Sequence, residues 1–140
     1  MTSRGHIEEP LRLHLPALPE NVERVRAAVG RRAEAYGLET SVIADLKTVV
    51  SEAAANVVLH AYLGAADQGP LEVEMTRDAT RVRVMVRDRG LGIRPQPKTE
   101  HASLKMGLSL IGAISSSFKL RSARDLGTEL IMDLPLPGCG

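Results

Sequence analysis

Glu52 and Asn56 stand four residues apart in a stretch of mostly small and apolar residues, with Ala53, Ala54, Ala55, Val57 and Val58 around them. On a helix that spacing puts both on one face. An asparagine oxygen is a hard, neutral ligand that can help hold Mg²⁺ beside phosphates. A carboxylate one turn away can accept the proton of a hydroxyl or water that attacks a γ-phosphate. The same two residues also suit the solvent face of an amphipathic helix, so the pair alone decides nothing.

Three glycine-marked signals follow. Asp88-Arg89-Gly90-Leu91-Gly92 comes directly after an alternating apolar run. A carboxylate at a strand end, among apolar walls, can accept a hydrogen bond from an exocyclic amine such as adenine's, and Gly90 and Gly92 permit close backbone approach. A plain turn leaving a strand would read the same way. Gly107-Leu108 stands at the start of a predicted helix, where unpaired N–H groups and the dipole favour phosphate. Lys105, just before it, could reach a phosphate as a point charge or could be a solvated loop residue. Gly127-Thr128 precedes the last apolar run and suits either the wall of a base pocket or an ordinary hairpin turn.

Other residues point to less. His60 lies two turns beyond Glu52, and a lone histidine there is assigned no chemical role. His6, His14 and His101 lack ligand spacing. Ser51 has no His or Asp arranged around it, so hydrolase chemistry is not supported. Arg24, Arg26, Arg31 and Arg32 read as a solvated face, with a docking surface for an acidic partner as the sharper alternative.

The elements that must position these residues follow from periodicity. Leu11, Leu13 and Leu15 alternate with polar residues and predict a strand ended by Pro16 and Pro19. Pro19-Glu20-Asn21 opens a helix whose apolar face is Val22, Val25, Ala28 and Val29, stopped by Gly37 near Tyr36. Thr40 and Ser41 can cap a second helix that runs to about Tyr62. Gly64 to Pro70 is a surface loop. Leu71, Val73 and Met75, then Val82, Val84 and Val86, predict a hairpin turned at Asp78-Ala79-Thr80. Residues 89–106 form the long loop, of a kind that often serves as a lid. A third helix over Gly107 to Ser116 and two strands turned at Asp125-Leu126-Gly127 complete the chain. These elements predict a two-layer α/β (α+β) sandwich, its sheet mixed and mostly antiparallel, with helices covering one face.

A chain of 140 residues fits a single domain over 1–140, with 1–10 a flexible N-terminus. The net charge of +1 removes any bulk electrostatic argument for nucleic acid or membrane. Tyr36, Tyr62 and Phe118 are the only aromatics, too few rings for stacking on unpaired bases. Cys139 is the only cysteine, which excludes an internal disulfide and suits a reducing compartment. With no apolar run of membrane-spanning length, the expectation is a cytoplasmic protein.

The order Glu-x-x-x-Asn, Asp-x-Gly-x-Gly, Gly-Leu, Gly-Thr resembles that of the Bergerat-fold, histidine-kinase-like ATPases. Val50-Ser51-Glu52-Ala53-Ala54-Ala55-Asn56-Val57-Val58-Leu59-His60-Ala61-Tyr62 is similar to the asparagine box of one small branch, the anti-sigma factor serine/threonine kinases. Leu18-Pro19-Glu20-Asn21-Val22 looks like that branch's entry, and the likeness runs from about Leu11 to Leu136. The resemblance implies Glu52 as general base, Asn56 as Mg²⁺ ligand, Asp88 with Gly90 and Gly92 at adenine, Gly107 and Leu108 on the phosphate side under an ATP lid at 89–106, and Thr128 near the base. It implies an ATP-dependent protein kinase that binds a sigma factor, phosphorylates an anti-anti-sigma (STAS-type) partner and acts as a homodimer. Members often carry a further glycine where this chain has Lys105, so a flexible backbone turn is lost there and a cation gained. The alternative is an ATP-binding regulatory module that sequesters a partner without phosphoryl transfer.

Overall fold

Alternation of apolar and polar residues makes Leu11–Pro16 a strand, β1. The computed structural model describes residues 9–65, 67–90, 111–115, 117–123 and 127–136, with the side chains of 118 and 121–123 excepted. Asn21 donates from Nδ2 to the Pro16 carbonyl at 2.8 Å, which fixes the turn out of β1. Helix α1, Pro19–Ala35, begins with a proline whose missing N–H costs nothing in the first turn. Its buried face is Val25, Val29 and Ala33. Gly37, at φ 77°, ends it in the left-handed conformation that glycine adopts without strain.

Helix α2, Thr40–Asn56, carries Val42, Leu46, Val49, Val50, Ala53 and Ala54 into the core. Thr40 and Ser41 do not cap it. Ile43 N–H closes the first turn onto the Glu39 carbonyl at 3.0 Å, so Thr40 already has helical backbone and Glu39 holds the cap position with no side-chain capping bond. Nor does the α-helix continue to Tyr62. After Asn56 the winding widens into a five-residue π-turn, Val57–Ala61, and Tyr62 closes it. Single π-turns of this kind are uncommon and recur at functional sites.

The sheet has the order β1-β2-β3-β5-β4, with β2 Pro70–Arg77, β3 Arg81–Asp88, β4 Ser117–Ala123 and β5 Gly127–Pro135. Every described pairing is antiparallel. Asp78 makes the tight β2–β3 turn by accepting from the N–H groups of Thr80 and Arg81 at 2.9 and 3.0 Å. The second hairpin inserts its later strand, so β5 lies between β3 and β4 and pairs Thr128 with Asp88.

Strand alternation divides the sheet into two faces. Leu71, Val73 and Met75, Val82, Val84 and Val86, and Leu130, Met132 and Leu134 are buried under the helices. Helix α2 packs on β3 and β5, and α1 on β1 and α2. Arg12, Glu72, Glu74, Arg83, Arg87 and Glu129 lie on the other face, paired among themselves and with Asp133. This is the expected two-layer sandwich. Residues 111–114 are helical and Ser115, whose N–H donates to the Ile111 carbonyl at 2.9 Å, is already a bend, so the expected third helix ends before it; positions 107–110 and 116 lie outside the described residues, as does the lid beyond Gly90. No described helix is long and apolar enough to cross a membrane.

Candidate active site

Asp88 ends β3 on the helix-covered face and is only 4% exposed. It sits there because the strand's period continues: Val82, Val84 and Val86 precede it on the same side. Its Oδ1 accepts from the Gly90 N–H at 2.9 Å and from the Thr128 N–H at 3.3 Å. Burial pushes its carboxyl above the usual carboxylate range, against the lowering effect of those two N–H groups. Oδ2 has no hydrogen-bond partner among the described residues. The result is a carboxylate held by one oxygen, its second oxygen ready to accept from a ligand's N–H.

Two glycines around Asp88 have specific causes. At Gly127, φ is 87° and a Cβ would come within 2.1 Å of the Asp88 carbonyl oxygen. At Gly90, a Cβ would lie 2.0 Å from the Ala61 carbonyl oxygen. The close approach that glycine permits at 90 is therefore to the π-turn of the protein itself.

Glu52 and Asn56 both lie on α2, partly buried. Asn56 is the last α-helical residue, at the junction with the π-turn. Among the described residues its Nδ2 is buried without a hydrogen-bond partner, and so are both ring nitrogens of His60. An unmet buried polar atom costs about 1–3 kcal/mol, so three of them near one helix end are arranged for a ligand or water to complete. His60, assigned no chemical role from the sequence, lies in the π-turn four residues after Asn56, and that spacing was the available signal. Ser51 spends its hydroxyl on the Lys47 carbonyl at 2.6 Å, in keeping with no nucleophilic role.

The Asn56 amide oxygen is a ligand of the type that can help hold Mg²⁺ beside phosphate. Among the described residues no three His, Cys, Asp or Glu side chains form a cation cage, so a magnesium ion there would complete its shell with phosphate and water, as this cation usually does. Gly92, Lys105, Gly107 and Leu108 lie outside the described residues. Of the predicted site residues, the fold joins Asp88, Gly90 and Thr128 by direct hydrogen bonds and sets Glu52 and Asn56 on the helix that leads to them through Ala61 and Gly90.

Of the helical arginines, Arg24 and Arg31 are exposed and Arg32 donates to the Glu9 carbonyl at 2.7 Å. A shallow hollow on the charged sheet face, lined by Arg12, Leu13, His14, Glu72, Glu74 and Arg87, is crossed by the Arg87–Glu72 and His14–Glu72 pairs at 3.0 and 3.2 Å. Its charges are met within the chain.

Residues 15–134 match the family of histidine kinase-like ATPase domains, and the chain belongs to that family. Within it, the chain is 32% identical over 139 residues to the serine-protein kinase RsbW of Listeria monocytogenes, covering 90% of this chain and 87% of that one. It is 29% identical over 133 residues to the anti-sigma F factor of Pasteuria penetrans, covering 87% of each. The solved RsbU and RsbW domains of Rv1364c from Mycobacterium tuberculosis superpose with a TM-score of 0.68 at 25% identity, over 91% of this chain and 32% of that one. The histidine kinase domain of a blue-light activated kinase from Erythrobacter litoralis shares the fold, with a TM-score of 0.55 at 18% identity.

Proposed function

We propose that this chain is an ATP-dependent serine/threonine protein kinase that acts as an anti-sigma factor and phosphorylates an anti-anti-sigma (STAS-type) protein. The observation that carries the reading is the Asp88 carboxylate, buried, fixed through Oδ1 and with no partner for Oδ2 among the described residues. That is the acceptor an adenine exocyclic amine requires. The relatives named serine-protein kinase and anti-sigma factor support the partner classes.

In this reading Asp88 and Thr128 hold the base, and Gly90 and Gly92 shape the turn beside it. Asn56 would hold Mg²⁺, which when bound neutralises phosphate charge. Gly107, Leu108 and Lys105 would lie along the phosphates. Glu52 accepts the proton of the partner's serine or threonine hydroxyl as its oxygen bonds to the γ-phosphorus. The bond from that phosphorus to the bridging oxygen breaks, and ADP leaves. A homodimer in the cytoplasm is part of the same proposal.

The test is label transfer from γ-labelled Mg·ATP to a candidate STAS-type protein. Transfer by the wild type that is lost in Glu52→Ala is the expected result. ATP binding without transfer to any such partner would favour the regulatory module instead, and Lys105 in the family's glycine position is the residue that would then be examined first.

A further inference from the structure

We infer that Tyr62 is a positioning residue for base recognition: its hydroxyl ties the end of the π-turn to the backbone that carries Asp88. The inference rests on the nucleotide reading above. Tyr62 closes the π-turn and is buried. Its Oη accepts a hydrogen bond from the Arg89 N–H at 2.9 Å and donates one to the Pro70 carbonyl at 2.6 Å. Arg89 follows Asp88 directly, and Pro70 precedes Leu71, the residue paired with Asp88 across the sheet. One hydroxyl therefore fixes the chain on both strands at the point where the carboxylate stands.

The neighbouring contacts make the arrangement specific. The Ala61 carbonyl oxygen occupies the space where a Cβ on Gly90 would lie. Gly69 lets the tyrosine ring lie against the backbone, since a Cβ there would come within 2.4 Å of Cε1 and 2.8 Å of Oη. Gly90 in turn supplies the N–H that orients Asp88 Oδ1. Moving Arg89 moves that donor, and with it the free oxygen. The π-turn that Tyr62 closes begins directly after Asn56. Burial pushes the Tyr62 hydroxyl up, so it remains a donor at neutral pH.

A purely structural role and a positioning role differ in one readout. Loss of folded protein weakens every nucleotide by the same factor, whereas a displaced Asp88 weakens only those that present an amine. The experiment compares ATP with inosine triphosphate, which lacks that amine, by calorimetry well below the melting temperature. In Tyr62→Phe the preference for ATP is expected to fall by about tenfold, the scale of one buried hydrogen bond. In an Asp88→Asn background Tyr62→Phe should cause no further fall. Gly69→Ala, which keeps the tyrosine but displaces its ring and hydroxyl together, should lower the preference in the same direction, and it carries the test if the phenylalanine variant does not fold. An unchanged ATP preference in Tyr62→Phe and Gly69→Ala overturns the inference while leaving the nucleotide site intact. A wild type without any ATP preference overturns the adenine reading and this inference with it.

Discussion

Asp88 keeps a carboxylate where burial disfavours charge, and the sign of that effect separates its folding role from its binding role. Its folded carboxyl titrates above the ordinary value, so between the two values the native state holds a proton that the unfolded chain has released. This group therefore destabilises the fold as pH rises through that window and ceases to do so as pH falls back through it. Asp88→Asn removes the penalty. Its melting temperature at pH 7 is expected to match or exceed that of the wild type, while ATP affinity falls by about tenfold or more, the value of a hydrogen bond to a charged group. Thermal unfolding and calorimetry on the same sample check both halves. Gly127 behaves oppositely. Its φ of 87° and the 2.1 Å approach to the Asp88 carbonyl make Gly127→Ala a folding defect of about 2 kcal/mol or more, read by urea unfolding.

At the scale of elements, α2 bears both the core and the chemistry. Leu46 is fully buried on it, so Leu46→Ala should cost about 2–5 kcal/mol in urea unfolding without changing the denaturant slope. Helices α1 and α2 and the first hairpin were legible from periodicity because each is a local pattern. Val25, Val29 and Ala33 mark one helical face, and Val82, Val84 and Val86 mark one strand face. Two features were not legible. The π-turn at Val57–Ala61 has no residue signature, since the same apolar letters continue an α-helix. The insertion of β5 beside β3 depends on long-range pairing. Asp88 and Gly127-Thr128 could be singled out one by one, but only that register makes the Thr128 N–H a partner of the Asp88 carboxylate. Tyr62 was read as a helix end and part of a motif but not as an anchor, because its two hydrogen bonds run to Pro70 across the loop and to Arg89 at another strand's end.

Across the whole molecule, the sheet face away from the helices is stabilised by paired charge. Arg83 grips Asp133 with two bonds of 2.8 and 3.0 Å, and Arg87 joins Glu72 and Glu129 at 3.0 and 3.3 Å. The Arg83 hydrogen bonds hold the Asp133 carboxyl below the usual range. Here the linkage has the other sign: the contribution is present above the ordinary carboxylate value and is lost as pH falls through the folded one. Asp133→Asn should therefore be less stable than the wild type at pH 7, by about 1 kcal/mol given the half-exposed arginine. The gap should close in strong acid, as followed by urea unfolding at a series of pH values.

The structure of the complex with Mg·ADP, determined by crystallography, bears most directly on the adenine site. The expected result is an adenine exocyclic amine within hydrogen-bond distance of Asp88 Oδ2, with the phosphates running toward Asn56. A base bound elsewhere, or a nucleotide whose amine makes no contact with Asp88, would contradict the account.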